Sequence, residues 1–169
     1  MSAKAFEELL TAGLDLGVKG FHHKGEWAIH EALTVLLSRT GPACVMMETF
    51  NVSEDVLRPM FFEVEKGNIT DLRMILDMNV KRHKLEMLLF AAGITTDIRL
   101  ASCHAKVLLI SNERYRIGIV GSANANQPVR YEAGFLFSDP GLFSFFESQF
   151  NQVFNEDSIP FDWNSQLNN

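Results

Sequence analysis

The sequence predicts an α/β fold, in which a mixed β-sheet is flanked by helices on both faces. Two observations predict it. Apolar segments of strand length alternate with amphipathic segments of helix length as far as Ala101. Three further strand-like segments then follow one another without a helix between them. Helical crossovers join parallel strands, whereas short connections join antiparallel ones. We therefore expect the first strands to be parallel and the last three to be largely antiparallel.

Helix and strand signals take turns in the first part of the chain. The Gly41-Pro42 pair ends the first helix, and the Ser53 hydroxyl, followed by two acidic residues, marks the start of the second. Apolar side chains alternate from Leu72 to Met78, which is typical of a strand. The predicted elements in chain order are helix 26–37, strand 44–50, helix 53–66, strand 71–78, helix 80–92 and strand 95–101.

The second part of the chain predicts a hairpin, a third strand and a final helix. Residues 105–110 and 116–120 are apolar and flank a polar turn, which is typical of a β-hairpin. Tyr131–Phe137 is the third apolar run. In helix 141–154 a stripe of phenylalanines recurs at helical spacing, and we expect it to pack in the core rather than to line a ligand site. The members of this stripe are Phe143, Phe146, Phe150 and Phe154.

The chain divides into one domain with two flanking segments. Residues 26–155 are expected to form a single α/β domain, residues 1–25 an amphipathic N-terminal extension, and residues 156–169 a loosely held C-terminal tail. The first 20 residues are acidic and amphipathic and do not resemble a signal peptide. No apolar run approaches the roughly 20 residues that a membrane span needs, so no stable membrane association is expected.

The acidic balance of the chain arises at its C-terminal end. The net charge is −6. Residues 131–169 contain six acidic residues and no Lys or Arg, whereas acids and bases cancel in the rest of the chain. The sequence has no long basic stripe, which argues against a tight nonspecific DNA binder. A local positive site around Lys106 remains compatible with this distribution.

Cysteine usage indicates a reducing compartment. The two cysteines, Cys44 and Cys103, cannot build a disulfide framework and are expected to be buried free thiols. We therefore expect a cytoplasmic protein. The spacing of Cys103-His104 from the other histidines does not match a zinc site, so no metal ligands are assigned.

Polar residues of particular types interrupt the strand-like runs of the last third. His104 and Lys106 are two residues apart, so they point to the same side if both lie on a strand. Gly121 allows a tight turn, from which Ser122 and Asn124 project. Glu132 lies near the start of the third strand. Three neighbouring strands can bring all these groups to one point, and the order of the motifs makes the combination far more specific than either part.

A second His-x-Lys sequence occurs near the N-terminus. The run His22-His23-Lys24 has the same spacing, but it lies in a polar, glycine-flanked stretch with no Gly-Ser-x-Asn after it. Single short patterns of this kind occur often by chance. We therefore predict a loop here and assign it no function.

The pair of motifs resembles the signature of the phospholipase D superfamily, which is HxK, four residues, Asp, and later GSxN. His104, Lys106, Gly121, Ser122 and Asn124 match this signature. The resemblance extends more weakly over residues 26 to 154. It implies a metal-independent phosphodiesterase without a cofactor, most often a nuclease among the small single-motif members. One position departs from the signature, because Ser111 stands where the family has its Asp.

The resemblance also implies roles and a dimer. His104 would be the nucleophile that forms a phosphohistidine, Lys106 and Asn124 would hold the phosphate, and Glu132 would orient His104. Ser122 would support either the phosphate or Glu132. The chemistry needs two histidines and the chain has one complete motif, so the resemblance implies a homodimer with a shared site. Glu48, at the end of strand 44–50, is a further candidate pocket residue or else a partly exposed edge residue.

Other interpretations of the sequence remain open. A catalytically silent relative could use the same pocket to bind nucleic acid or a protein partner, and the missing Asp favours this alternative. The chain could also be a subunit or fragment of a larger assembly that uses residues 1–25 or 155–169 for contacts. Hydrolysis of a phospholipid headgroup is disfavoured, because no basic amphipathic helix is evident.

Overall fold

The computed structural model describes residues 3–83, 85–95, 97–123 and 130–161. Its helices are α1 (Ala3–Leu16), α2 (Ile29–Thr40), α3 (Glu54–Glu65), α4 (Met78–His83), α5 (Leu85–Ala92) and α6 (Pro140–Glu156). Its strands are β1 (Val18–Lys24), β2 (Ala43–Thr49), β3 (Ile69–Asp77), β4 (Ile98–Ala101), β5 (Val107–Ser111), β6 (Arg116–Gly121), β7 (Tyr131–Phe137) and β8 (Ile159–Pro160).

The described strands form one mixed sheet in the order β1-β7-β6-β5-β2-β3-β4-β8. The strands β2, β3 and β4 are parallel neighbours, because helical crossovers join them. The strands β5, β6 and β7 are antiparallel. The predicted fold class and the predicted strand directions are therefore confirmed.

Helices cover both faces of the sheet and create two hydrophobic clusters. On one face α1, α2, α3 and α5 pack over the sheet, and their contribution includes Phe6, Leu33 and Leu57. On the other face α6 packs over side chains that alternate with the first set along the strands, as the two-residue period of a strand requires. Phe143, Phe150 and Phe154 of α6 are buried there, as the phenylalanine stripe predicts.

The N-terminal segment is part of the same sheet and core. Residues 3–24, which the sequence analysis separates as an extension, form α1 and β1. All seven residues of β1 pair with β7 in an antiparallel ladder. The predicted loop at His22-His23-Lys24 is therefore wrong: these residues are the end of an edge strand. The polar composition of β1 hides its pairing, because only His23 and, in part, Phe21 turn towards the interior.

Several predicted boundaries shift for identifiable reasons. The strand predicted at 105–110 begins only at Val107, and the segment before it is anchored elsewhere, since the backbone N–H of Cys103 donates to the Asp77 carboxylate. The helix predicted at 80–92 corresponds to α4, which begins at Met78, and to α5, which ends at Ala92; residue 84 between them lies outside the described residues. Residues 159–161 of the predicted loose tail are held, since β8 pairs with β4 and the Phe161 N–H donates to Ile98 O. Asp162 and the residues after it lie outside the described ranges.

Within the described ranges, no helix combines the length and the apolar character that crossing a membrane requires.

Candidate active site

The strand directions bring the motif residues to one end of the sheet. The C-terminal ends of β1, β2 and β6 lie beside the N-terminal ends of β5 and β7, as the pairs Lys24–Tyr131, Glu48–Val107 and Val107–Val120 show. Antiparallel neighbours always place opposite ends together. Residues just before β5 and β7 and just after β6 therefore share one sheet end, although they are distant in sequence.

His104 and Lys106 are joined to each other at this end. The Lys106 ammonium donates to the His104 backbone oxygen at 2.6 Å and lies 3.2 Å from His104 Nδ1. Phe50 packs against both side chains, with its ring centre 4.8 Å from the imidazole and 5.6 Å from Lys106 Nζ. Both residues lie in the irregular segment before β5 and not on a strand, so the geometric reason given for their proximity is wrong. Their contact is nevertheless present.

The pKa of Lys106 is shifted by its surroundings. Partial burial lowers the pKa of Lys106, because it penalises the charged ammonium, and the negative charge of Glu132 opposes this effect. Lys106 is in direct contact with His104, whereas no ion pair joins it to Glu132 among the described residues.

Ser122 and Glu132 form a second pair, held by a close approach of β6 and β7. The Ser122 hydroxyl donates to Glu132 Oε2, and the Ala133 N–H donates to Ser122 Oγ at 3.1 Å. A Cβ on Gly134 would lie 2.2 Å from the Val120 oxygen and 2.7 Å from Gly121 Cα. Only glycines at 121 and 134 let the two strands approach closely enough for this arrangement. Ser122 thus supports Glu132, one of the two roles that the sequence analysis left open.

Two predicted relationships are not found among the described residues. Among them, Glu132 accepts no hydrogen bond from His104. Instead, Glu132 accepts from Ser122, and the His104 imidazole contacts Lys106. Asn124 lies outside the described residues, and its predicted role stays a prediction.

Glu48 belongs to a buried cluster behind the motif residues. It is 9 % exposed, and burial raises the pKa of Glu48, although a hydrogen bond from the Cys103 thiol opposes the rise. Burial also raises the pKa of Cys103 to about 12, and the nearby charges of Glu48 and Asp77 add to this. Cys44 and Cys103 are both free and are half-buried rather than buried. Cys103 therefore remains a thiol over the physiological range.

Asp77 is a site-building residue that the sequence analysis did not identify. Its carboxylate accepts the Cys103 N–H at 3.0 Å and both the backbone and side-chain N–H groups of Asn79 at 2.8 and 2.7 Å. It thereby fixes the backbone directly before His104. The sequence signal that could have identified Asp77 is an acidic residue at the end of an otherwise apolar strand.

His23 is the second residue that sequence reasoning missed. It faces Glu132 across β1 and β7, and burial lowers the pKa of His23 while the charges of Glu26 and Glu132 oppose this. Its Nδ1 accepts the Glu26 N–H at 3.3 Å, and its ring packs 4.4 Å from that of Trp27. Its buried Nε2 has no hydrogen-bond partner within the described part of the chain. The sequence signal for His23 was the His22-His23-Lys24 run, to which the loop prediction assigned no function.

No cluster of three or more His, Cys, Asp and Glu side chains within residues 3–83, 85–95, 97–123 and 130–161 is placed to hold a metal ion.

Comparison with known proteins identifies similar structures but no similar sequence. No protein-family model and no curated protein matches the sequence. The structure is similar to that of Nuc from Salmonella typhimurium, a phospholipase D family member, with a TM-score of 0.59 and 15 % identity over 85 % of this chain and 99 % of that one. NucT from Helicobacter pylori gives a TM-score of 0.65 and 18 % identity over 85 % of this chain and 99 % of that one.

A larger protein contains the same fold. Phosphatidylserine synthase from Haemophilus influenzae Rd KW20 gives a TM-score of 0.60 and 14 % identity over 85 % of this chain and 40 % of that one. At these identities the likeness concerns the fold. The chain therefore has the fold of the phospholipase D family member Nuc, and the resemblance that its motifs carry is confirmed at that level.

Proposed function

We propose that the protein is a metal-independent phosphodiesterase, and specifically a nuclease. The observation that carries the proposal is the contact of the Lys106 ammonium with His104 Nδ1, at 3.2 Å, beside the Ser122–Glu132 pair. A phosphodiester repels nucleophiles because negative oxygens shield its phosphorus. A site that attacks it must neutralise this charge, supply a nucleophile and protonate the leaving oxygen. An ammonium, an imidazole and a carboxylate at one sheet end supply the required types of group.

The contact between Lys106 and His104 defines how the site would be activated. When the ammonium donates to Nδ1, the neutral imidazole carries its proton on Nε2 and cannot attack with that nitrogen. A phosphate that draws Lys106 onto its own oxygen frees Nδ1. Loss of the Nε2 proton to water and uptake of a proton from water at Nδ1, with Glu132 as the acceptor of the new N–H, then leave a lone pair on Nε2. Substrate binding and activation of the nucleophile are thus coupled in the proposal.

The reaction proceeds in two displacements. His104 Nε2 forms a bond to phosphorus as the bond to the leaving oxygen breaks, and a second, protonated imidazole gives its proton to that oxygen. Water then attacks the phosphohistidine, the nitrogen–phosphorus bond breaks, and the second imidazole takes the proton from the water. No cofactor is needed in this sequence of steps.

The second imidazole would come from a second copy of the chain. The motif occurs once per chain, and most soluble homo-oligomers are symmetric, with two-fold dimers the commonest. A two-fold axis near His104 places two copies of His104 and Lys106 around one phosphate. The similarity to Nuc over 99 % of that chain supports a single-motif protein of this size. Small single-motif members of the superfamily are most often nucleases, and the choice of substrate rests on this resemblance.

Cleavage in the presence of EDTA tests the proposed activity. Single-stranded DNA, double-stranded DNA, RNA and a chromogenic phosphodiester are incubated with the protein and with the His104→Asn variant. We expect EDTA-resistant cleavage that the variant lacks. Cleavage that depends on added metal, or that survives in His104→Asn, would contradict the proposal.

Mixed dimers test the shared site. His104→Asn protein is mixed with the parent protein under conditions in which subunits exchange. If each site needs two copies of His104, total activity falls with the square of the parent fraction. If each chain has its own complete site, activity falls linearly with that fraction, and the shared site is excluded.

The substitution at Ser111 favours the alternative of a silent binding module, but its position weakens that alternative. Ser111 is the last residue of β5, whereas the site lies before Val107 at the first. At about 3.3 Å per residue this is a separation of roughly 13 Å. Asn112 next to it organises the hairpin turn and donates to the Thr40 and Pro42 oxygens. The departure from the motif therefore lies away from the reacting groups.

A further inference from the structure

An exposed stack of aromatic rings lies at the same end of the sheet as the candidate site, on the residue that precedes Glu132. Tyr131, the residue before Glu132, is 66 % exposed. The His22 ring stacks on it with the centres 5.4 Å apart and the planes 8° from parallel, and Lys24 Nζ lies 5.3 Å from the centre of the Tyr131 ring. The three side chains are held by the β1–β7 ladder, in which Lys24 faces Tyr131. We call this group the ring ledge.

The sheet face around the ring ledge has no helix over it in the described structure. The helix α6 covers this face only farther along β7, where Phe137 is buried against it. Phe135, two residues closer to the ring ledge, is 57 % exposed, and Val18 is 41 % exposed. Open aromatic surface of this kind is characteristic of an interaction site.

The charges on this face select the kind of partner. On this face β1 presents Lys24 and no acidic residue, since Lys19 points to the other face, and Arg130 is exposed at the sheet end directly before Tyr131. The acid of β7, Glu132, points to the opposite face and is bonded to Ser122. A second copy of the chain on this face would bring Lys24 and Arg130 close to their own counterparts, which costs free energy. A polyanion with flat rings meets no such repulsion.

We propose that Tyr131, His22 and Lys24 form a base-stacking subsite for single-stranded nucleic acid, next to the phosphate that His104 and Lys106 engage. The subsite rests on the proposed function, since it places a nucleotide beside the scissile phosphate. Every base has a face that can stack on an aromatic ring, so such a subsite tolerates different sequences. The bases of a duplex are stacked on each other and cannot reach the ring, so the subsite favours single strands.

Binding of labelled oligonucleotides tests the subsite without cleavage. The affinity of the His104→Asn protein for a fluorescent single-stranded oligodeoxynucleotide is measured by anisotropy, with and without the further change Tyr131→Ala. We expect Tyr131→Ala to weaken binding roughly 5- to 150-fold, which corresponds to the loss of one base–aromatic stack. Tyr131→Trp should restore the affinity. Phe62→Ala, which removes a half-exposed phenylalanine on α3 over the opposite face, is the matched control.

An abasic oligonucleotide gives the deciding comparison. If Tyr131 stacks on a base, Tyr131→Ala weakens binding of the normal strand and leaves the weaker binding of the abasic strand unchanged. Equal losses on both strands, or no loss on either, would overturn the subsite. A Tyr131→Ala protein whose mass by light scattering falls from dimer to monomer would also overturn it, because the face would then contact a second copy.

The subsite and the proposed function can fail separately. EDTA-resistant hydrolysis of the chromogenic diester by the parent protein reports the reaction alone, since that compound needs no ring ledge. If the parent protein hydrolyses the diester but its oligonucleotide binding does not depend on Tyr131, the subsite is refuted and the proposed reaction is not. If oligonucleotide binding depends on Tyr131 but no hydrolysis occurs, the proposed reaction is refuted and the subsite is not.

Discussion

His23 and Glu132 face each other across the β1–β7 pair, and this pairing joins the edge strand to the candidate site. His23 is 4 % exposed, and its Nδ1 accepts the Glu26 N–H. The neutral ring therefore carries its proton on Nε2, on the buried side. Cross-strand neighbours have their Cβ atoms about 5 Å apart, so the His23 side chain lies beside that of Glu132, to which Ser122 donates, although Nε2 itself has no hydrogen-bond partner among the described residues.

Protonation of His23 should destabilise the fold. Burial lowers the pKa of His23, so the unfolded chain takes up this proton at a higher pH than the folded chain does. The stabilisation is fully present above the pKa of an unfolded histidine, about 6.5. It is lost as the pH falls below that value towards the lowered pKa of the folded state. We expect the free energy of unfolding, measured with urea, to fall between pH 7.5 and pH 5 and to fall less in His23→Phe. Identical pH dependence in the two proteins would contradict the assignment.

Removing the Ser122 hydroxyl should loosen Glu132 without unfolding the protein. Ser122→Ala removes the donor to Glu132 and the acceptor of the Ala133 N–H. Since Ser122 is exposed, water replaces part of both, and we expect a loss of about 0.5–1.5 kcal/mol in the free energy of unfolding. Activity should fall by a smaller factor than in His104→Asn. Ser122→Thr keeps the hydroxyl and should retain most of the stability. A Ser122→Ala protein with full activity would show that the pair has no part in the reaction.

Lys106→Met should weaken transition-state binding and spare the fold. Methionine keeps an apolar stem against Phe50 but cannot donate to a phosphate oxygen. A hydrogen bond to a charged group contributes about 1.5–3 kcal/mol, which corresponds to a decrease of roughly 10- to 150-fold in kcat/KM. Lys106→Arg is the matched control, because it retains the charge with a different geometry, and it should recover part of the loss. Equal activity of Lys106→Met and the parent protein would remove Lys106 from the site.

Asp77→Ala should damage both stability and activity, because Asp77 fixes the segment that carries His104. The change removes the buried carboxylate that accepts from the half-buried Cys103 N–H and from the exposed Asn79. Water can replace the acceptor at Asn79 but only partly at Cys103, so we expect a loss of about 1–3 kcal/mol, measured by urea unfolding. Asn79→Ala removes only one of these donors and should cost less. An Asp77→Ala protein as stable as the Asn79→Ala protein would refute this role.

Cys103 should resist alkylation in the folded protein. Burial raises the pKa of Cys103 to about 12, so almost no thiolate is present at pH 8. In a Cys44→Ser background, reaction with iodoacetamide should be much slower in the native protein than in urea. Equal rates in the two conditions would show that the thiol is not perturbed by its surroundings.

The regular parts of the fold follow from local patterns. The run Tyr131–Phe137 is predicted with the bounds that the structure has, because continuous apolar character over strand length is a local signal. The phenylalanine stripe of α6 is predicted as core because its spacing matches the helical period. Parallel and antiparallel strand directions follow from the presence or absence of a helix in each connection.

The edge strand and the irregular segment could not be predicted in this way. β1 shows no apolar alternation, since Lys19, His22 and Lys24 are exposed and His23 is the buried residue. Its position depends on β7, which is more than 100 residues away in sequence. The irregular segment before β5 is anchored by Asp77, which lies 26 residues upstream and accepts the Cys103 N–H. Neither partner can be identified from the local sequence.

The sequence alone determined the motif residues, the fold class and the order of the helices and strands from α2 to α6, because each depends on residue types and spacings within a few turns of chain. Only the tertiary structure decided that Lys106 contacts His104 outside any strand, that Ser122 serves Glu132, and that His23 is buried opposite that carboxylate. These relationships depend on which distant segments meet at the sheet end. Hydrogen bonds and burial are formed between such segments, so their partners are fixed only when the whole sheet is assembled.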